Sequence, residues 1–260
     1  MKQYKTLLFE NKNGTGIVKV NRPEALNALN AEVLTELSGI FDEIQIDDSV
    51  KVVVVTGEGR SFIAGADIAA MNEMSVLEGR EFILKGQAVM QKIEMFDKPV
   101  IAAINGFALG GGAELAMACD IRFASDKARF GQPEVGLGII PGFGGTQRLP
   151  RLVGKGIAKM MIFGAEIYNA EDAKSFGLVD RIFPAETLME ETERFAAVIA
   201  SRAPIAVKLS KVAINNGVNA DLHTGINYEA EASIAPLSSE DKKEGMTAFL
   251  EKREALFKNK

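Results

Sequence analysis

The glycine-rich stretch at residues 105–148 constrains the fold most strongly, because it places glycines where a buried strand would turn into a helix. Three consecutive glycines at 110–112 separate a β-rich run at 100–104 from a helix-like run at 114–119. Glycine has no Cβ, so the backbone can come close to a bound molecule there. A helix that begins at such a turn points free N–H groups, and the positive end of its dipole, at whatever precedes it. We therefore expect backbone amides at this turn to hold a developing negative charge.

Two acids of the same stretch lie among apolar neighbours. Glu114 is expected in the first turn of the helix, and Glu134 follows Pro133 on a loop. Burial raises the pKa of a carboxyl, and two carboxyls that face one cavity can divide the roles of acid and base. They are too far apart in sequence to share a helix face, so the fold has to bring them together. An ordinary first-turn acid and a turn acid explain the pattern equally well.

Several other reaction classes fit the sequence poorly. Residues 57–62 lack the last glycine of a dinucleotide fingerprint, and no segment matches a P-loop. Residues 59–63 fail as a nucleophile elbow because they end in isoleucine. The only histidine, His223, is predicted on a helix surface, which disfavours a Ser-His hydrolase or a multi-histidine metal site. The only cysteine, Cys119, is predicted in the core. Glycoside hydrolysis also uses paired carboxylates, but the chain has no tryptophan, a common sugar platform.

Charge and composition exclude further classes of partner. The net charge is −5 with acids and bases interspersed, which argues against a nucleic-acid surface. A single cysteine permits no internal disulfide and suits a reducing compartment. The N-terminus lacks the apolar core of a signal peptide, and no apolar run approaches the roughly 20 residues of a membrane span. We expect a cytoplasmic protein that binds neither nucleic acid nor membrane.

The order of hydrophobic patterns predicts an α/β fold with a helical appendage. Residues 7–10 and 15–20 flank Asn13 and Gly14 and indicate a hairpin. Apolar runs at 52–55 and 100–104 indicate buried strands, with a further short strand within 178–183. Predicted helices cover 30–46 (capped by Asn30), 76–96, 154–163, a segment capped by Asn169, 186–200, 204–216, 221–232 and 239–258. The change to helices alone places a boundary near 201–204.

Five segments resemble the crotonase (enoyl-CoA hydratase/isomerase) superfamily, in family order and over nearly the whole chain. The closest resemblance is to the short-chain enoyl-CoA hydratases and 3-hydroxybutyryl-CoA dehydratases within it. The segments are NRPEALNAL at 21–29, FIAGADI at 62–68, NGFALGGGAELAMACDIRFA at 105–124, FGQPEVGLGIIPGFGGTQRLPRLVG at 130–154 and EGMTAFLEKR at 244–253. The resemblance implies a spiral of ββα units over residues 1–200. It also implies a helical C-terminal region, 201–260, that builds trimers, usually paired into hexamers.

The resemblance also implies the chemistry. The family holds an acyl-CoA thioester oxygen between two backbone N–H groups, which match Ala66 and Gly111. Its hydratases use two glutamates, which match Glu114 and Glu134. Glu114 is then expected to orient and deprotonate the water that adds to the β-carbon, and Glu134 to protonate the α-carbon. The implied reaction is reversible syn hydration of short trans-2-enoyl-CoA, crotonyl-CoA first, with no metal and no cofactor beyond the coenzyme A of the substrate.

Contacts with the substrate and its CoA part are implied at eight further positions: Glu24, Ala25, Leu26, Arg60, Ala64, Asp67, Ile68 and Lys252. Arg60 and Lys252 match basic positions near the nucleotide phosphates, although solvated surface charge explains each equally well. Ala69 departs from the family pattern, because many relatives carry lysine there, and this puts one phosphate contact in doubt.

Two alternatives stay open on the sequence. One is another acyl-CoA enzyme of the superfamily, such as an enoyl-CoA isomerase; isomerases often keep only one of the two acids. The other is an RNA-binding or non-catalytic protein of this fold, which the acidic balance disfavours. Acyl chain length and the physiological direction are not fixed by the sequence, since the tail pocket depends on loops such as residues 71–75.

Overall fold

A computed structural model describes residues 2–260, which form two β-sheets and ten α-helices. The predicted α/β class is therefore confirmed. The strands are β1 Leu7–Lys12, β2 Thr15–Val20, β3 Val52–Gly57, β4 Ser61–Ile63, β5 Val100–Ile104, β6 Phe107–Leu109, β7 Ile121–Ser125, β8 Arg129–Gly131, β9 Tyr168–Asn169 and β10 Arg181–Phe183. The helices are α1 Ala31–Gln45, α2 Ile68–Asn72, α3 Val76–Glu94, α4 Gly111–Ala118, α5 Gly145–Gly164, α6 Ala170–Ser175, α7 Leu188–Ala200, α8 Pro204–Gly217, α9 Leu222–Leu237 and α10 Glu240–Glu251. Short 3₁₀-helices cover Pro23–Ala25 and Pro133–Leu137.

The chain alternates between the two sheets as it advances. The larger sheet has the order β1-β2-β3-β5-β7-β10 and the smaller has β4-β6-β8-β9. Neighbouring strands are parallel except in the pairs β1 with β2 and β8 with β9. The pairs β3–β4, β5–β6 and β7–β8 each place one strand in each sheet, and a helical segment follows each pair. Three successive ββα units thus make the predicted spiral.

The central strands of the larger sheet are buried on both faces. Val53 and Val55 of β3 belong to the main core with α1 and α3, whereas Val52 and Val54 face the opposite side and pack with α7. This follows from the strand geometry, in which successive side chains point to opposite faces. A strand covered on both sides has to be apolar throughout, which explains the continuous valine run.

Side-chain caps mark the beginning of α1 and of α6. The side chain of Asn30 accepts a hydrogen bond from Val33 N at 2.9 Å, and that of Asn169 accepts one from Asp172 N at 2.9 Å. Both predicted caps are confirmed, and so is the hairpin at Asn13 and Gly14. Side-chain caps satisfy N–H groups that the first helical turn leaves without partners.

The structure corrects three predicted helices. The helix predicted at 221–232 continues to Leu237. The helix predicted at 154–163 begins earlier, at Gly145, and Gly154 interrupts it with a non-helical conformation. The helix predicted at 239–258 ends at Glu251, because Lys252 adopts a left-handed conformation with φ 55°. The chain beyond it folds back, so that the Asp241 carboxylate accepts hydrogen bonds from Lys258 N at 2.6 Å and Asn259 N at 2.8 Å.

The helices α8, α9 and α10 follow the predicted boundary. The helices α8 and α9 pack closely where Gly217 meets Gly225. Among the described residues of α9 none is buried, and large apolar side chains of these helices lie exposed, including Ile214, Leu222 and Phe249. The division into a core and a trimerisation region stays a prediction. Within residues 2–260 no helix combines the length and apolar character needed to cross a bilayer.

Candidate active site

A cavity of about 750 Å³ opens where α4, the 3₁₀-helix Pro133–Leu137 and the start of α5 meet. Its wall is mostly apolar and contains two carboxylates, Glu114 and Glu134. Small-molecule sites commonly have volumes of about 300–1,000 Å³ with few polar groups. The structure therefore brings both predicted acids, which are distant in sequence, to one cavity.

Two residues that line the same cavity have backbone amides without an acceptor among the described residues. Ala66 and Gly111 both line it, and neither amide donates a hydrogen bond to any group within residues 2–260. Gly111 is the first residue of α4, where N–H groups have no acceptor within the helix. Each amide follows a glycine with positive φ, 119° at Gly65 and 48° at Gly110. A positive φ is adopted mainly by glycine. The turn at each glycine leaves the following N–H outside the hydrogen bonds of a regular helix or strand.

Glu114 is held by the backbone of the loop that precedes α5. It lies in the first turn of α4 and is 1% exposed. Its Oε1 accepts hydrogen bonds from Phe143 N at 2.8 Å and from Gly145 N at 2.6 Å. Burial raises the pKa of the Glu114 carboxyl, while the Gly145 and Phe143 amides and the Arg148 guanidinium oppose that rise. These donors favour the ionised form and fix the direction in which the carboxylate points.

Glu134 lies on the second residue of the 3₁₀-helix Pro133–Leu137, which corrects the predicted loop. It is 9% exposed, and a Cβ at Gly110 would lie only 2.8 Å from its Oε1. The carboxyl therefore sits directly against the glycine turn. Burial raises the pKa of Glu134 to about 7, and the negative charge of Glu114 adds to the rise. Near neutral pH both the protonated and the ionised form of this carboxyl are therefore populated.

The sequence reasoning missed Gln132, which is 1% exposed beside Glu134. The hydrogen-bond pattern orients its amide nitrogen toward Glu134, at 3.0 Å from Oε1 and 3.2 Å from Oε2. The signal was present in the segment FGQPEVG, where a polar side chain precedes the buried acid by two positions. A single side-chain donor from Gln132 contrasts with the two backbone donors to Glu114.

Much of the remaining cavity wall is apolar. Phe82 and Phe143 pack edge to face with ring centroids 5.4 Å apart. Further apolar side chains in the wall are Ile68, Met71, Ile83, Leu137, Ile139 and Ile140. Met71 belongs to α2, so part of the segment predicted as a loop is helical. These uncharged side chains suit an aliphatic chain.

Of the positions predicted to contact the substrate, some line the cavity and others do not. Ala64 and Ile68 line the cavity, and Ala64 N donates to Leu26 O at 3.1 Å, which places residues 24–26 alongside. Asp67 instead caps α2 and pairs with Arg22 at 3.2 Å. Arg60, in the turn between β3 and β4, and Lys252, at the end of α10, are absent from the wall of this cavity. The structure places Glu24 and Ala25 in the 3₁₀-helix Pro23–Ala25.

Other reactive side chains lie elsewhere. Cys119 is buried in the core, as predicted, and burial raises the pKa of its thiol to about 12. His223 is exposed on α9, as predicted. Residues 2–260 contain no group of three or more histidine, cysteine, aspartate or glutamate side chains arranged to hold a metal ion.

Comparison with known proteins relates this geometry to a family. The family model described as enoyl-CoA hydratase/isomerase matches residues 10–260. The short-chain-enoyl-CoA hydratase of Clostridium acetobutylicum is 52% identical over 256 residues, covering 98% of both chains. The crotonyl-CoA hydratase of Syntrophomonas wolfei is 49% identical over 258 residues, covering 99% of both. The crystal structure of an enoyl-CoA hydratase from Bacillus anthracis has a TM-score of 0.96 at 40% identity, covering 98% of this chain and 100% of that one. The chain therefore belongs to the enoyl-CoA hydratase/isomerase family, the crotonase superfamily that its motifs resemble.

Proposed function

We propose that this protein is an enoyl-CoA hydratase that adds water reversibly across the double bond of a short trans-2-enoyl-CoA. The favoured substrate is crotonyl-CoA, which gives 3-hydroxybutyryl-CoA, so the same site also dehydrates that product. The observation that carries the proposal is the meeting of two differently held carboxyls and two free amides in one cavity. The similarity to the short-chain-enoyl-CoA hydratase of Clostridium acetobutylicum and the crotonyl-CoA hydratase of Syntrophomonas wolfei supports the same reaction.

The amides of Ala66 and Gly111 would hold the thioester oxygen. Addition of water to the β-carbon moves electron density onto that oxygen, and donors already aimed at it stabilise the enolate-like state. Removing one such donor typically costs about 3 kcal/mol of barrier. The positive end of the α4 dipole acts in the same direction.

The two carboxyls would handle the water. Ionised Glu114 accepts one proton of the water as its oxygen bonds to the β-carbon, and its two backbone donors leave Oε2 available for that proton. Protonated Glu134 gives its proton to the α-carbon on the same side. The π bond is replaced by C–O and C–H bonds, and the pair ends with the same number of protons. Proton exchange with solvent then restores the starting form.

No metal or redox cofactor takes part in the proposed reaction, because the thioester and the two amides supply the electronic pull. Coenzyme A enters as part of the substrate. We assign its nearer part to the edge formed by residues 24–26 and Ala64, with Ala69 offering no phosphate contact. Arg60 and Lys252 stay candidates for the phosphates.

We also propose self-association through α8, α9 and α10, as a trimer or a pair of trimers. The exposed apolar side chains of these helices support it, since large exposed apolar patches mark interfaces. A cytoplasmic location stays a prediction from the single cysteine.

Crotonyl-CoA mixed with the purified protein tests the main proposal. Hydration removes the conjugation of the thioester, so its ultraviolet absorbance should fall. An isomerase of the same family would leave crotonyl-CoA unchanged and would act on a 3-enoyl-CoA instead. A protein without activity on either substrate would contradict the proposal, and a gel shift with RNA at physiological salt would then favour the binding-protein alternative.

A further inference from the structure

The loop at residues 143–145 supplies both hydrogen-bond donors to Glu114, so its position decides where that carboxylate points. The amide nitrogens of Phe143 and Gly145 lie 2.8 Å and 2.6 Å from Glu114 Oε1. A catalytic group displaced by about 1 Å can lose about a hundredfold in rate. Whatever fixes this loop therefore matters for the reaction.

Arg148 contacts the loop from behind. Its Nη1 donates to Phe143 O at 3.1 Å, and its Nη2 donates to Glu94 Oε2 at 2.6 Å. The Phe143 residue is thus held on both sides, through its N–H by Glu114 and through its carbonyl by Arg148. The planar guanidinium can bind two acceptors in fixed directions, which a lysine ammonium cannot do. The side chain is 16% exposed, so its contacts are only partly screened by water.

Arg148 does not form part of the cavity wall, although Thr146 and Gln147 of the same helical turn do. Any effect of Arg148 on the reaction has to pass through the loop or through its charge. Glu94, which anchors the guanidinium, is itself held from α8, because Asn215 Nδ2 donates to Glu94 O at 3.0 Å. The support of Glu114 therefore extends from α5 to α3 and α8.

We propose that Arg148 is a positioning residue for Glu114, fixing the amides of residues 143–145 and keeping a positive charge behind the carboxylate. The inference rests on the proposed hydration, since it concerns the same carboxyl. Within residues 2–260 the charged groups that act on Glu114 are Glu134 and Arg148, while Glu94 faces Arg148 from α3.

Loss of the Arg148 charge has a predictable sign. The guanidinium opposes the burial that raises the pKa of Glu114, so its removal raises that pKa further. Glu114 has to be ionised to accept a proton from water. The acid limb of kcat/KM for hydration therefore moves to higher pH when the charge is lost.

The test compares Arg148→Met with Arg151→Met in the full-length protein. Arg151 lies on the same helix, is exposed and donates only to Gln147 among residues 2–260, so it receives the same chemical change away from the loop. We expect Arg148→Met to lower kcat for crotonyl-CoA by at least about tenfold, with KM changed less than about twofold. Its acid limb should move up by at least about half a pH unit, whereas Arg151→Met should match the wild type.

Arg148→Lys separates charge from geometry and serves if Arg148→Met does not fold by circular dichroism. The lysine keeps the positive charge but cannot bind the Phe143 carbonyl and Glu94 in the two fixed directions of a guanidinium. We therefore expect kcat to fall by at least about threefold while the acid limb of kcat/KM stays at the wild-type pH. Wild-type kcat in either folded Arg148 variant would overturn the inference, and so would a loss confined to KM. A wild-type protein that does not hydrate crotonyl-CoA would refute the proposed function instead, so the two failures are distinguishable.

Discussion

The single proton shared by Glu114 and Glu134 makes the reaction depend on pH, and the alkaline side of that dependence follows from the structure. Hydration by the proposed route starts with Glu134 protonated and Glu114 ionised. Burial raises the pKa of Glu134 to about 7. The protonated fraction then falls about tenfold for each pH unit above that value, so kcat/KM at about pH 9 should be about a hundredfold below its plateau.

The same alkaline limb is expected in both directions. Adding a neutral water molecule leaves the charge of the substrate unchanged, so the ratio of kcat/KM for hydration and dehydration is a constant independent of pH. Dehydration starts from the other arrangement of the pair, with the proton on Glu114 and the charge on Glu134. Both directions therefore need one proton on the pair, and the apparent pKa belongs to the two carboxyls together.

The assay follows absorbance of the conjugated thioester at substrate concentrations below KM, from about pH 5.5 to about pH 9. Hydration is measured with crotonyl-CoA and dehydration with 3-hydroxybutyryl-CoA. Glu134→Gln is the matched control, because its residual activity should show no alkaline limb near pH 7. A wild-type kcat/KM that stays level up to about pH 9, or a limb that survives in Glu134→Gln, would refute the assignment of Glu134 as the proton donor.

Substitutions of single residues also test the site. Glu114→Gln and Glu134→Gln should each lose at least about a hundredfold in kcat while still binding acyl-CoA, measured by calorimetry; near-normal turnover in either removes its assigned role. Gly110→Ala should lower kcat by about a hundredfold, because φ is 48° there and the new Cβ would lie 2.8 Å from Glu134 Oε1. Gly136→Ala, with ordinary contact to Ala165 at 3.8 Å, is its control and should stay near wild type. The pKa of Glu134 is raised in the folded protein from 4.5 to about 7, so the unfolding free energy should fall as pH rises through that window. Thermal melts of Glu134→Gln should lack this part of the dependence, and equal slopes for both proteins would contradict the raised pKa.

The sequence predicts long elements of this fold well because their signals are local. The valine run of β3, the caps Asn30 and Asn169, and the hairpin at Asn13 and Gly14 each depend on neighbouring residues alone. The strands β4, β6, β8 and β9 were missed, since two or three residues carry no readable alternation. The five-residue strand β7 was missed as well. The early start of α5 was missed as well, because the glycines at 144 and 145 resemble a continuing loop.

The candidate site shows the same limit more sharply. Glu114 and Glu134 were identified as candidates by their apolar neighbours, and the family resemblance supplied their roles. Gln132 has only the local signal of a polar side chain two positions before a buried acid, and Arg148 has none. What both residues do depends on contacts made by the fold. Arg148 meets Glu94, which is 54 positions earlier in the chain, only after the spiral has closed. The sequence alone therefore does not indicate this contact.

The different roles of two chemically identical glutamates come from their surroundings. Glu114 accepts from two backbone amides that have no other acceptor within residues 2–260, and the Arg148 guanidinium donates to the Phe143 carbonyl of the same loop. Glu134 has one side-chain donor, an apolar setting and a negative neighbour, so the proton of the pair belongs on it. Side-chain substitution can shift the amide donors of residues 143–145 but cannot remove them, whereas it can remove the Gln132 donor altogether. Evolution or engineering can therefore adjust the acidity of Glu134 through Gln132 more readily than it can change which carboxyl acts as the base.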